Sequence, residues 1–196
     1  MMDLVYPASP APVYPRPSVD RPGPPAVGCE EMLPLLEPSG LVYGQATRAY
    51  CHGGARVLHP VVHLHIMDRE GMLYLQKRSP EKDLLPGCWD TAVGGHVTYG
   101  EQVLEALFRE AGEELGLQAF NPVSLGTHIW ETAREREFIF LFAMVGHPGL
   151  DPSNAEVSEG RWWSPEELAS AWGKGILTPN FEWEYAAVHP RLTALL

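Results

Sequence analysis

Glu110, Glu113 and Glu114 are three and four positions apart, so on a helix they project from one side. Like charges so close repel one another and weaken the helix. That arrangement is sustained most readily when cations neutralise it. A ligand set made only of carboxylate oxygens suits hard divalent ions, Mg²⁺ or Mn²⁺. Glu101 falls at the expected start of the same helix, where the macrodipole favours a negative charge, and it completes the cluster. Residues 95–117 hold five acidic side chains and one basic one, Arg109, out of 25 acidic and 14 basic in the chain. Spacing alone also allows a solvated acidic face with no ion.

The elements that must carry these residues are legible in the apolar pattern. Val103, Leu104, Leu107, Ala111 and Leu115 form one stripe at three- and four-residue spacing, which predicts a helix over 101–115 stopped by Gly116. Upstream, Leu33–Glu37 and Leu41–Tyr43 flank Pro38-Ser39-Gly40 and predict a hairpin. Val57–Asp68 and Met72–Arg78 predict two strands joined at Arg69-Glu70-Gly71. Trp89–Val93 predicts a short strand leading into Gly94-Gly95. Strands are expected again at Val123–Glu131, Phe138–Val145 and Arg161–Trp163. Ser164-Pro165-Glu166-Glu167 carries an N-cap, a first-turn proline and a capping-box glutamate. A last helix is expected after Thr178-Pro179. The order of strands, helix, strands and helices predicts a mixed sheet with helices packed on its faces.

The chain has 196 residues and a formal net charge of −11, which argues against a large nucleic acid as partner, since such binders neutralise phosphates with a basic surplus. No apolar run approaches the ~18 residues that read as a membrane span, and the first residues lack a basic, apolar leader. Cys29, Cys51 and Cys88, odd in number and widely spaced, predict a reducing compartment without disulfides, hence a cytoplasmic protein. Ten of the 19 prolines lie in residues 1–38, and 7–28 lacks apolar periodicity. Residues 1–31 therefore read as a proline-rich extension and 32–196 as the domain.

The segment Gly95–Leu117 resembles the Nudix box: glycine, five residues, glutamate, seven residues, then Arg109-Glu110-Ala111-Gly112-Glu113-Glu114-Leu115-Gly116-Leu117, with every fixed position matched. The resemblance implies an α/β/α sandwich around a mixed sheet. It implies a hydrolase that cleaves a diphosphate (pyrophosphate) bond in a small molecule, usually a nucleoside diphosphate derivative, with Mg²⁺ or Mn²⁺. Glu110, Glu113 and Glu114 would ligate the cation with Glu101 and the Gly95 carbonyl, and Arg109 would orient the carboxylates. Glu156 and Glu159 are candidates for a general base on a distant loop. Lys77, Arg78 and Lys82 are candidates to receive phosphates. Trp130, Trp162, Trp163 and Tyr99 would stack on a base or pack in the core.

A second resemblance is to the branch related to type I isopentenyl-diphosphate isomerases, carried by Leu75–Asp90 ahead of Val93-Gly94-Gly95-His96. It implies a second metal site, for which His52, His59, His96, Glu135 and Glu137 fall at matching spacing. The isomerases also need a cysteine just before the Gly-His pair. Here that position is Gly94, and Cys88 lies six residues earlier. Hydrolase activity is therefore the leading expectation, with an isomerase-like enzyme and a non-catalytic nucleotide-binding sensor as alternatives. A homodimer remains open.

Overall fold

The computed structural model describes residues 30–82, 84–152 and 157–196. The proline-rich segment up to Cys29, Asp83 and Glu156 lie outside the described residues. A hairpin of β1 (Met32–Leu36) and β2 (Val42–Thr47) leads into a one-turn helix, α1 (Arg48–His52). A sheet of seven strands follows: β3 (Leu58–Met67), β4 (Leu73–Arg78), β5 (Trp89–Asp90), β6 (Val93–His96), β7 (Val123–Glu131), β8 (Arg136–Val145) and β9 (Val157–Trp163). Three further helices are α2 (Val103–Leu115), α3 (Pro165–Ala171) and α4 (Pro179–Thr193).

β3 is the spine. It runs parallel to β8 along its whole length and antiparallel to β4 at one end and β6 at the other, so the sheet is mixed. Every residue of β3 is buried, as a central strand covered on both faces requires. Val62, Leu64 and Ile66 pack on one face against Ala106, Leu107, Ala111 and Leu115 of α2. Val61 and Met67 join Leu168 and Ala171 of α3 and Phe181, Val188 and Leu192 of α4 on the other. This is the expected α/β/α sandwich. Among the described residues no helix is long and apolar enough to cross a membrane.

Local chemistry set most boundaries. Ser164 caps α3 with Glu167 closing the capping box, and Thr178 caps α4. Gly116 ends α2 in the left-handed conformation, as its lack of a Cβ allows. Three expectations are corrected. α2 begins at Val103, capped by Gln102 with Glu105, so Glu101 precedes the helix. Leu104, assigned to the apolar stripe, is exposed; Ala106 is buried in its stead. The strand expected over Trp89–Val93 is two short strands, because the chain leaves β4 after Asp90 and joins β3 at Val93, with the Thr91 hydroxyl donating to the Leu64 carbonyl at 2.9 Å. The pattern gave no sign of α1, which is a single turn capped by Thr47.

Candidate active site

β6 divides two groups of polar side chains. Its residues alternate between the faces of the sheet, so Gly95 points to α2 while Gly94 and His96 point the other way. A Cβ built on Gly95 would overlap the Glu110 carboxyl group, so glycine is what lets this carboxylate lie against the strand.

On the α2 side, Glu110 and Glu114 are buried and Glu113 is largely exposed. Arg109 ties the group together. Its guanidinium donates to both oxygens of Glu101 at 2.8 and 2.9 Å, to Glu110 at 2.8 Å, to Glu113 at 3.1 Å and to the His96 carbonyl at 2.9 Å. Bonds to Glu101 foremost hold Arg109 firmly protonated. Glu114 Oε2 accepts from the Gly94 backbone N–H and from the Gln76 amide, both at 3.0 Å. Gln76 was not anticipated; the alternation of β4 pointing it at α2 was the only available signal. Glu101 sits beyond the helix end, and besides Arg109 it accepts from the Thr98 N–H at 3.0 Å. Glu101, Glu110 and Glu113 thus meet at Arg109, and Glu114 is held at the adjoining Gly94; carboxylate oxygens of this kind suit a hard divalent cation.

On the opposite face, His52, His59 and His96 bring ring nitrogens within 4.8 Å of one another. His52 Nε2 lies 2.8 Å from His96 Nε2, and His52 Nδ1 is 2.6 Å from Glu135. His59 Nε2 is buried with no hydrogen-bond partner. An orphaned nitrogen beside two close imidazoles is a donor set that fits a transition-metal ion. Burial lowers the pKa of His59 to about 4 and holds His96 well below the usual imidazole value, so both are neutral and able to ligate. Burial opposes ionisation of Glu135, but the bond and charge of His52 outweigh it and lower its pKa. Glu137 is raised to about 7, by burial first and by Glu135 second. It stands beside His59 in the β3–β8 register.

Other expected residues are placed elsewhere. Lys77 pairs in register with Glu159, 3.5 Å away, while their neighbours Gln76 and Gly160 pair beside them. Gln76 faces Glu114, so alternation turns Lys77 and Glu159 to the opposite side. The register thus turns Glu159 to the side of the sheet away from the box carboxylates. Arg78 is engaged by Asp90 at 3.2 Å and by the Leu84 carbonyl at 3.1 Å, and so is a poorer phosphate receiver than its sequence position implied. Trp163 is core, under Arg161 at 3.7 Å; Trp162 stacks on His147; Tyr99 is exposed. The Cys88 thiol points to the Gly175 carbonyl. Burial pushes the Cys51 thiol up to about 11, so Cys51 is not an activated nucleophile.

Known proteins give a concordant picture. The family model described as NUDIX domain matches residues 57–183. The uncharacterized Nudix hydrolase YfcD of Escherichia coli (strain K12) is 32% identical over 140 residues, covering 71% of this chain and 77% of its own. The isopentenyl-diphosphate Delta-isomerase of Brevibacterium linens is 31% identical over 147 residues, 72% of this chain and 81% of its own. The crystal structure of DR0079 from Deinococcus radiodurans superposes with a TM-score of 0.68 at 27% identity, covering 80% of this chain and 98% of that one.

Proposed function

The chain belongs to the Nudix family and is a hydrolase, and from that premise we propose that it cleaves a diphosphate bond in a nucleoside diphosphate derivative or a similar small molecule, with Mg²⁺ or Mn²⁺. The observation that carries this reading is the convergence of Glu101, Glu110 and Glu113 on Arg109 beside Gly95, with Glu114 held at the Gly94 N–H next to them. A cation held there by the carboxylates and the Gly95 carbonyl would offset phosphate charge and lower the pKa of a water. The chain's own residues do the rest. Arg109 keeps the carboxylates aligned, and Gln76 and the Gly94 N–H fix Glu114. A box carboxylate or Glu156 would take the water's proton.

We propose that the domain extends beyond the segment matched by the family model. Burial of Leu33, Leu36 and Cys51 and the entry of His52 into the histidine cluster support a unit of 32–196, with 1–31 proposed as an extension. The acidic chain fits a small anionic substrate reached through a cation, and the cysteine usage fits the cytoplasm.

A second reading, an isomerase-like activity, draws support from the histidine cluster and from the isomerase relative. Against it, position 94 is glycine, and a Cβ there would already lie 3.4 Å from the His63 ring. The experiment is a hydrolysis panel of nucleoside diphosphate derivatives, each with Mg²⁺ and Mn²⁺, together with an isopentenyl diphosphate product assay. Hydrolysis is expected, and Glu114→Gln should lower its rate by about a hundredfold or more, equivalent to about 3 kcal/mol of barrier. Wild-type-like turnover in that variant would remove Glu114 from the metal site. Isomer formation without hydrolysis would favour the second reading.

A further inference from the structure

The face of the sheet that meets α2 holds a cavity of about 520 Å³, a size that suits a small organic group. Its walls are Tyr74 and Trp162, paired across β4 and β9, with Gly160, His147, Leu150 and Pro152. Two connections place it beside the box carboxylates. Gly160 pairs with Gln76, whose amide donates to Glu114 at 3.0 Å. The Asp151 N–H donates to the Leu115 carbonyl at 2.9 Å, which ties the segment carrying Leu150 and Pro152 to the end of α2. Tyr74 and Gln76 share one face of β4 two residues apart, about 7 Å, which is the scale of a nucleoside rather than of a single phosphate. On the opposite face, buried Glu184 of α4 already holds His63 at 2.8 Å and His65 at 2.6 Å.

The walls favour a planar, uncharged ring. Tyr74 is buried, and a Cβ on Gly160 would overlap its hydroxyl, so glycine lets the phenol lie across β9. Tyr74 meets Trp162 edge to face, with ring centroids 5.4 Å apart, and this contact fixes the plane of the half-buried indole. The imidazole of His147 lies nearly flat on that indole, 4.6 Å away at 23°. His147 is exposed, and among the described residues its ring makes no hydrogen bond. Stacking alone holds it there. The indole face therefore already accepts one planar heterocycle and can exchange it for a larger one. Arg161, the lining residue with a permanent charge, turns its guanidinium to the other face, 3.7 Å from the Trp163 ring centroid and 2.8 Å from Glu167. The cavity thus presents an aromatic face rather than a cation.

We propose that the face of Trp162 is the subsite for the nucleobase of the substrate: the base takes the place of the His147 ring on the indole while the diphosphate reaches the cation at the box carboxylates. Trp162 is then a specificity-determining residue, and Tyr74 is the positioning residue that keeps its ring in plane. The nucleoside class of the ligand rests on the function proposed above. Every base has a π-face, so stacking of this kind is tolerant of base identity. The subsite selects nucleosides over plain sugars rather than one base over another.

The test uses the full chain with Mg²⁺. The probes are adenosine, guanosine, cytidine and uridine 5′-monophosphates, with ribose 5-phosphate as the control that lacks a base. None contains a diphosphate bond, so binding is read without turnover. By calorimetry the nucleotides are expected to bind about tenfold or more tighter than ribose 5-phosphate. The proton signals of the His147 ring, shifted by the indole beneath them, should move toward those of a free imidazole as a nucleotide binds and stay in place with ribose 5-phosphate. Trp162→Leu should erase the nucleotides' advantage and leave the affinity for ribose 5-phosphate unchanged. The His147 signals are read in the native chain, so that readout does not depend on how well the variant folds. Nucleotides that bind no tighter than ribose 5-phosphate, or that bind with the His147 signals unmoved, overturn the proposal. Hydrolysis of a nucleoside diphosphate derivative by a chain whose His147 ignores every nucleotide overturns this subsite alone. Nucleotide binding that displaces His147, without hydrolysis of any diphosphate, overturns the proposed diphosphate cleavage alone.

Discussion

Replacing Arg109 by methionine would remove a side chain that bonds Glu101, Glu110 and Glu113 together. The variant keeps the apolar stem and loses five donated hydrogen bonds. Glu113 is mostly exposed, and its i,i+4 pair is worth only about 0.3–0.5 kcal/mol. Glu101 and Glu110 are largely enclosed, and bonds to charged groups in such places are worth about 1.5–3 kcal/mol. Arg109 itself is a third exposed, which screens part of that. A loss of about 3 kcal/mol in the metal-free protein follows. For a domain of this size it lowers the melting temperature by about 6–12 °C. A divalent cation should take over part of the arginine's role by neutralising the same carboxylates. A cation at a hundred times its dissociation constant adds about 2.7 kcal/mol to a protein that binds it only when folded. The assay is thermal unfolding by circular dichroism, with EDTA and then with Mn²⁺, for both proteins. The gap between Arg109→Met and the native chain should be wide in EDTA and distinctly smaller in Mn²⁺. A variant that melts within about 2 °C of the native chain in EDTA would show that the clamp contributes nothing. An equal gap under both conditions would show that the carboxylates do not bind the ion.

Two further outcomes are expected. Gly95→Ala should drive Glu110 off β6, abolishing hydrolysis and destabilising the fold by about 1–3 kcal/mol in chemical denaturation, whereas Gly94→Ala should be mild. For His63, the folded pKa of about 9 lies above the ordinary 6.5, so its contribution is fully present below about pH 6.5 and disappears as the pH rises through 9. The rise is worth about 3 kcal/mol, so the stability difference between the native chain and Glu184→Gln, measured in urea, should shrink by about that amount between pH 6.5 and 10. A difference that stays constant with pH would place the proton elsewhere.

Much of this protein is written locally. Gly116, Ser164, Thr178 and the apolar stripe of α2 act within one turn of their own positions, and capping and stop signals need no distant partner. The run from Gly95 to Leu117 likewise fixes which glutamates share a helix side, because helical spacing is a property of the chain alone. The resemblance to the isomerase branch also grouped His52, His59, His96, Glu135 and Glu137; the first four meet, and Glu137 lies in register with His59.

Tertiary structure decided which face each residue serves. β6 and β4 alternate their side chains, so a shift of one residue separates Gly95 from Gly94 and Gln76 from Lys77. Only pairing with β3 and β9 determines which of each pair meets α2. Glu159 faces away from the box carboxylates, and Gln76 supports Glu114, for this reason. Glu184 lies 121 and 119 positions from His63 and His65 in the chain, and no periodicity links a strand to a helix so distant. Their meeting depends on α4 crossing the far face of the sheet, where burial turns an ordinary glutamate into a charge that must be answered.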